Sequence, residues 1–86
     1  MKHIFAIIIT VLLFLPLSCA TKEASMNNRG VGYLNKGEFD KAIEDFNKAI
    51  AINPNYAKAY YNRGVIYYKK WLDEKAISDF RKACDK

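Results

Sequence analysis

The chain repeats itself at a spacing of 34 residues over most of its length. The run Asn28-Arg29-Gly30-Val31 returns as Asn62-Arg63-Gly64-Val65. Other residues that return at this spacing are Tyr33 as Tyr67, Ala42-Ile43 as Ala76-Ile77, Asp45-Phe46 as Asp79-Phe80, and Lys48-Ala49 as Lys82-Ala83. A fixed period of this length is typical of repeat proteins, in which each unit buries its apolar side against its neighbour. Two copies of one structural unit therefore account for almost everything after residue 23.

Each copy has the pattern of two helices joined by a short turn. The predicted helices are 24–36 and 39–52 in the first copy and 56–70 and 73–85 in the second. We expect Gly37 to end the first helix in a left-handed conformation, and Asp40 to lie in the positively polarised first turn of the next. Asn53-Pro54 is expected to stop the second helix and Asn55 to cap the third.

Small and aromatic residues lie on the side of each helix pair that packs. Gly30, Ala42 and Ala49 let the two helices of the first copy approach closely, while Tyr33 and Phe46 fill the space around them. Their counterparts in the second copy are Gly64, Ala76, Ala83, Tyr67 and Phe80. Together with Pro54 these residues resemble the signature of the tetratricopeptide repeat, a helix–turn–helix unit that holds other proteins.

The resemblance implies an all-α fold in which two tandem helix–turn–helix repeats form a short right-handed α-solenoid behind an N-terminal signal peptide. The repeats are expected at 23–56 and 57–86, the second of them truncated. Family members turn the first helix of each repeat toward a concave groove. The corresponding groove residues are Asn27, Val31, Leu34 and Asn35 in the first repeat and Lys58, Tyr61, Val65, Tyr68 and Lys69 in the second. We expect this surface to bind a protein or peptide segment that has apolar anchors and an acidic group.

Two functional hypotheses follow from this organisation. The first is an adaptor that docks a partner segment in the groove. The second is a self-assembling piece, a homodimer formed through the uncapped last helix, where Ile77, Phe80, Ala83 and Cys84 line a face that would normally pack against a next repeat. The same uncapped face would also suit a fragment of a longer repeat array.

Two residues of the second copy depart from the first. Trp71 stands where Gly37 stands, so we expect a turn conformation available to a bulky residue. The indole is expected near the surface, where it shields the end of the helix pair or, as the alternative, anchors a partner. Cys84 stands where Ile50 stands, which favours burial as a small apolar residue over an intermolecular disulfide.

Residues 1–18 have the composition of a signal peptide, with Lys2 and His3 followed by an apolar run to Leu17. The run is too short to span a membrane comfortably. Leu17-Ser18-Cys19 resembles a bacterial lipoprotein signal, which implies lipidation of Cys19 and a lipid-anchored periplasmic protein. The alternative is removal of residues 1–20 by the general signal peptidase, which would give a soluble periplasmic or secreted protein.

The residues that common catalytic and metal sites need are few. His3 is the single histidine and is expected to leave with the signal peptide, so neither a nucleophile–histidine pair nor a zinc site is expected. Adjacent carboxylates such as Glu44-Asp45 and Asp73-Glu74 point in different directions on a helix. We therefore expect no enzyme activity, no cofactor and no bound metal.

The net charge of the chain is +5, and many of its charged residues form pairs of opposite sign four residues apart. These pairs are Lys41 with Asp45, Glu44 with Lys48, and Lys75 with Asp79. Such spacing is typical of a solvated helix face whose charges pair with each other, and we expect no nucleic-acid binding.

Overall fold

The computed structural model describes residues 21–85, and these form four helices. We label them α1 to α4. Their bounds are Lys22–Asn35 for α1, Phe39–Ile52 for α2, Ala57–Lys69 for α3 and Asp73–Asp85 for α4. Each predicted helix is therefore present, with ends within two residues of expectation. The predicted signal peptide and Cys19 lie outside the described residues.

Local sequence explains most of the helix ends. The Thr21 hydroxyl accepts a hydrogen bond of 3.2 Å from the Ala24 backbone N–H and so caps the start of α1. At its other end Gly37 has a φ of +79°, and the Glu38 N–H donates to the Tyr33 carbonyl at 2.9 Å. This is the left-handed ending that the glycine predicts, because glycine adopts positive φ without steric cost.

The expected cap at Asn55 is wrong. Tyr56 occupies the cap position of α3, and it makes no side-chain hydrogen bond there. The asparagine that makes a local side-chain hydrogen bond is Asn53, whose side-chain oxygen accepts from the Asn55 N–H at 3.1 Å. An asparagine two residues before the donating N–H forms this small turn readily, so Asn53 closes the loop after α2 and Asn55 does not cap α3.

The helices pack in chain order, α1 on α2 and α3 on α4, while α3 also contacts α2 and α1. The centre of the core holds five side chains with 0% exposure, namely Ala42, Phe46 and Ala49 of α2 with Ala59 and Ile66 of α3. Since these belong to both copies, one core joins them. This is the stacked arrangement expected of a short helical solenoid.

The paired helices approach each other closely at the glycines that recur in α1 and α3. A Cβ atom at Gly30 would lie 2.5 Å from Cε1 of Phe46, and one at Gly64 would lie 2.8 Å from Cε1 of Phe80. An aromatic ring on the second helix of each pair thus lies directly against the backbone of the first. Within residues 21–85 no helix is both long and apolar enough to cross a membrane.

Candidate functional site

The groove residues predicted on α3 lie on an accessible side of that helix. Tyr61 is 56% exposed and Tyr68 is 67% exposed, with half-buried Val65 between them. Their spacing of three and four residues places them on one face of the helix. Lys58 and Lys69 are exposed near the two ends of the same stretch. The structure therefore brings two aromatic rings and two ammonium groups to one surface.

The predicted groove residues of α1 divide into accessible and buried ones. Asn35 is exposed, and Val31 and Leu34 are half-buried. Asn27 is only 3% exposed, and its side-chain oxygen accepts a 3.0 Å hydrogen bond from Nδ2 of Asn62. The expectation that Asn27 offers a free surface to a partner is therefore corrected, because its amide is used to hold α1 against α3.

An open hollow lies beside the first of the exposed tyrosines. The ring of Tyr61 lies 5.7 Å from that of Phe80, with the planes tilted by 46°. The hollow has a volume of about 450 Å³ and is lined by Ala57, Lys58, Tyr61, Asn62, Ala83 and Cys84. An apolar side chain of a partner would find an aromatic wall here and an ammonium group at the rim, which is the combination expected for a peptide anchor next to an acidic residue.

Two arginine–aspartate pairs, each with a buried aspartate, hold the helices together. Arg29 donates from Nε and Nη2 to the two carboxylate oxygens of Asp45 at 2.8 Å each. Arg63 donates in the same way to Asp79, and its Nη1 also donates to Oδ1 of Asn47 at 2.7 Å. Two-point pairing fixes both the distance and the orientation of the partners. These pairs connect α1 to α2 and α3 to α4, and Asn47 extends the second to the neighbouring copy.

The charge partners of Asp45 and Asp79 are arginines of the preceding helix, not the lysines that the sequence spacing predicts. Hydrogen bonds from Arg29 lower the pKa of Asp45, against the opposing effect of burial. Asp79 holds the pKa of Arg63 above its usual value. The expected helix-surface pairs from Lys41 to Asp45 and from Lys75 to Asp79 are therefore wrong, since both aspartates face inward.

The lysines of those expected pairs lie elsewhere, and one expected pair is present. Lys41 pairs with Glu38 at 3.5 Å, and Lys75 lies over the ring of Tyr67. The pair of Glu44 with Lys48 is confirmed, at 3.5 Å. The sequence signal for the arginine pairs was available, because arginine and aspartate recur together in both copies, 16 residues apart.

Trp71 differs from the expectation in its turn conformation and in its packing. Its φ is +63°, close to that of Gly37, so the second turn repeats the first although a bulky residue stands in it. The Leu72 N–H donates to the Tyr67 carbonyl at 2.8 Å, as Glu38 does to Tyr33. The side chain is 87% exposed, so the indole does not shield the end of the helix pair.

A second accessible surface lies on the outer side of α4. We call it the end face and define it by Glu74, Ile77, Arg81 and Cys84, together with Phe80 at its border, whose ring also lies against α3. Ile77 is 50% exposed and Phe80 half-buried, while the Cys84 thiol is free and exposed. The expected burial of Cys84 is therefore wrong, whereas its counterpart Ile50 is half-buried against the core.

Neither surface has the side chains of a metal centre. Across residues 21–85 no three residues among histidine, cysteine, aspartate and glutamate come together in a way that could hold an ion.

Comparison with known proteins agrees with this geometry. A family model described as "TPR repeat" matches residues 32–70, and one described as "Tetratricopeptide repeat" matches residues 57–85. The crystal structure of MamA superposes with a TM-score of 0.72 at 36% identity, covering 74% of this chain and 37% of the MamA chain. The uncharacterized protein MJ0572 of Methanocaldococcus jannaschii is 52% identical over 33 residues, which are 38% of each chain.

The chain thus spans well under half the length of each of these two proteins. The two family matches overlap and together cover the end of α1 and all of α2, α3 and α4. Repeats of this kind are generally non-enzymatic protein-interaction modules, stacked so that each helix pair packs on the next. The chain belongs to the tetratricopeptide repeat family.

Proposed function

We propose that this chain is a non-enzymatic protein-interaction scaffold that docks a segment of a partner protein along the exposed side of α3. The observation that carries the proposal is the exposure of Tyr61 and Tyr68 on one face of α3. Within residues 21–85 more than half of each of these side chains remains accessible to a partner. Tyrosine provides much contact area at a low cost in side-chain entropy, which is why it is enriched at protein interfaces.

The charges near the tyrosines indicate what kind of segment fits. Lys58 and Lys69 are exposed near the two ends of α3, and Lys58 is at the rim of the hollow beside Tyr61. A segment with two apolar anchors and an acidic residue would match both features. Val31, Leu34 and Asn35 of α1 extend the surface, while Asn27 is left out because it is buried. Two repeats offer a small footprint, so we expect an affinity of about 1 μM or weaker.

The test is capture of partners from an extract of the source cells by immobilised protein. The double variant Tyr61→Ala, Tyr68→Ala should lose the captured partners while its helical circular dichroism is unchanged. Trp71→Ala is the matched control, because Trp71 is an exposed aromatic residue outside the proposed surface. If the tyrosine variant keeps its partners and Trp71→Ala loses them, the partner binds the turn after α3 and the groove proposal is wrong.

We also propose that the protein is exported and anchored by a lipid on Cys19. Support comes from the sequence of residues 1–18 and from the position of α1, which begins at Lys22. Three residue steps reach at most roughly 10 Å, so such an anchor would hold the repeats against the membrane surface. Mass spectrometry of the native protein decides the question. A lipid-bearing Cys19 as the first residue is expected, whereas a free Thr21 means simple secretion and an intact Met1 means that residues 1–18 are not a signal peptide.

Self-association is a second candidate function. The observation in its favour is that Ile77, in the middle of α4, is 50% exposed. An apolar side chain at this position is a natural contact for a second copy of the same helix.

A further inference from the structure

The first copy shows what kind of contact the end face would make. The outer side of α2 carries Asp40, Ile43, Asn47 and Ile50, and α3 lies against it. Arg63 donates to Asn47 at 2.7 Å, and Nζ of Lys70 lies 2.8 Å from Asp40. The equivalent positions of α4 are Glu74, Ile77, Arg81 and Cys84, all of which are exposed. Within residues 21–85 the same surface is thus covered by a helix in the first copy and uncovered in the second.

A second copy stacked head to tail would fit this surface poorly. Its α1 would take the place that α3 has on α2. Gly32 would then stand where Ile66, with 0% exposure, fills the core. Arg29 would stand where Arg63 meets Asn47, and it would face Arg81. Loss of a core side chain and apposition of two like charges both oppose such stacking.

The end face is complementary to itself when two copies meet with α4 antiparallel. Glu74 and Arg81 are seven residues apart on one side of the helix, roughly 10 Å along its axis, which is too far for them to pair within one chain. Between them lies an open hollow of about 430 Å³ lined by Glu74, Ile77, Ser78, Arg81 and Lys82. Reversing one helix about a point between residues 77 and 78 places each acidic end beside the basic end of the other copy.

We propose that α4 binds α4 of a second copy in an antiparallel arrangement with two-fold symmetry. In this arrangement Ile77 packs against Phe80 of the other copy, and Glu74 pairs with Arg81 of the other copy on each side of the axis. A neighbouring hollow of about 310 Å³, lined by Tyr68, Asp73, Ala76, Ile77 and Phe80, receives the incoming Ile77. The proposal rests on the second candidate function, self-association, and specifies its geometry.

The arrangement also predicts the behaviour of Cys84. The two exposed thiols would lie at opposite ends of the paired helices, roughly 20 Å apart along the axis. A disulfide needs Cα atoms within about 7 Å, so association should be insensitive to reductant.

The experiment uses charge reversal in full-length chains that are co-expressed with two different C-terminal tags, and it measures capture of one tag by the other. When both chains carry Glu74→Arg, or both carry Arg81→Glu, two like-charge contacts form across the axis. Capture should then fall by roughly tenfold or more relative to the parent. When one chain carries Glu74→Arg and the other carries Arg81→Glu, both ion pairs form again and capture should return to near the parent level.

Glu44→Arg is the control, since it reverses a charge on the exposed side of α2 away from the end face. It should leave capture unchanged, and circular dichroism should show that every variant is folded. A mixed pair captured no better than the two single-variant pairs would overturn the proposed geometry. A parent chain that does not capture itself would overturn both the geometry and self-association, without bearing on partner docking at Tyr61 and Tyr68. Capture that reductant abolishes would replace the α4 pairing by a Cys84 disulfide.

Discussion

At the scale of single residues, Asp45 and Asp79 have the same role in the two copies. Each is 2% exposed, and each receives two hydrogen bonds from an arginine on the preceding helix. A buried carboxylate is stable only when such donors compensate for the lost water. The two pairs differ in their surroundings, because the side chain of Arg63 is 17% exposed and that of Arg29 is 51% exposed.

The Arg29–Asp45 pair predicts how the fold responds to acid. Because Arg29 lowers the pKa of Asp45 in the folded state, the unfolded chain takes up the proton first as the pH falls through about 4. The stabilisation is thus complete above that pH and is lost as the pH falls through the lower folded-state pKa. Urea unfolding at several pH values should show the free energy of unfolding declining below about pH 4.

Removing either member of the pair is the control for this prediction. Asp45→Asn and Arg29→Met should each be less stable at neutral pH than the parent, and each should show a shallower decline in acid. An Asp45→Asn variant with the parent's full acid dependence would show that other carboxylates are responsible.

A second prediction at this scale concerns the turn after α3. Trp71 holds a φ of +63°, which is costly for a residue with a Cβ atom, and its exposed side chain gains little packing in return. Trp71→Gly should therefore raise the free energy of unfolding by about 0.5–1 kcal/mol. The matched change Gly37→Ala, at a φ of +79°, should lower it by about 1 kcal/mol. Thermal unfolding followed by circular dichroism measures both, and a stabilised Gly37→Ala would contradict the argument.

At the scale of helices, a glycine of α1 lets α2 approach closely only where it lies on the side of α1 that faces α2. Gly30 faces α2, where the ring of Phe46 leaves no room for a methyl group. Gly32 is two residues further along, is exposed, and would have nothing within 4 Å of an added Cβ. The same residue type therefore serves helix packing at one position and only weakens the helix at the other.

This contrast predicts opposite signs for two identical substitutions. Gly30→Ala should lower the free energy of unfolding by about 1–3 kcal/mol, because the methyl group would force Phe46 out of place. Gly32→Ala should raise it by about 0.5–1 kcal/mol through helix propensity alone. Denaturant unfolding of the two variants provides the measurement. Equal effects of the two substitutions would mean that α1 and α2 are not as close as described.

At the scale of the whole molecule, α3 belongs to both copies. It forms the second helix pair with α4, yet its Ala59 and Ile66 complete the core around Phe46. Polar contacts reinforce the junction, through Asn62 with Asn27, Arg63 with Asn47 and Lys70 with Asp40. The two copies should therefore unfold as one cooperative unit.

Ile66 is the side chain on which that cooperativity depends most. Ile66→Ala should lower the free energy of unfolding by about 2–5 kcal/mol, since it empties the centre of the shared core. Ile52→Ala, at an exposed site near the end of α2, should change it by about 1 kcal/mol at most. Hydrogen exchange should show the amides of α1 and α2 losing protection along with those of α3 in Ile66→Ala. Protection lost from α3 and α4 alone would mean that the copies are stable independently.

The sequence alone predicted the four helices, their order and their pairing. The recurrence of glycine, alanine and aromatic residues at 34 residues fixes which helix faces pack, and short-range rules locate most of the helix ends. These features depend on neighbours three or four residues away or on the repeat itself. It also predicted that Tyr61 and Tyr68 lie on an accessible face of α3, because their spacing and the family pattern leave that face open.

The tertiary structure alone decided which residues far apart in the chain make contact. Arg29 and Asp45 could each have paired with closer charges, and only the approach of α1 to α2 brings them together. Asn27 was expected in the groove and is buried, because α3 places Asn62 against it. Trp71 takes a glycine's conformation because packing of α3 on α4 fixes the path of the turn and overrides local preference. Each outcome depends on the packing of one helix on another, a relation that neighbouring residues in the sequence do not encode.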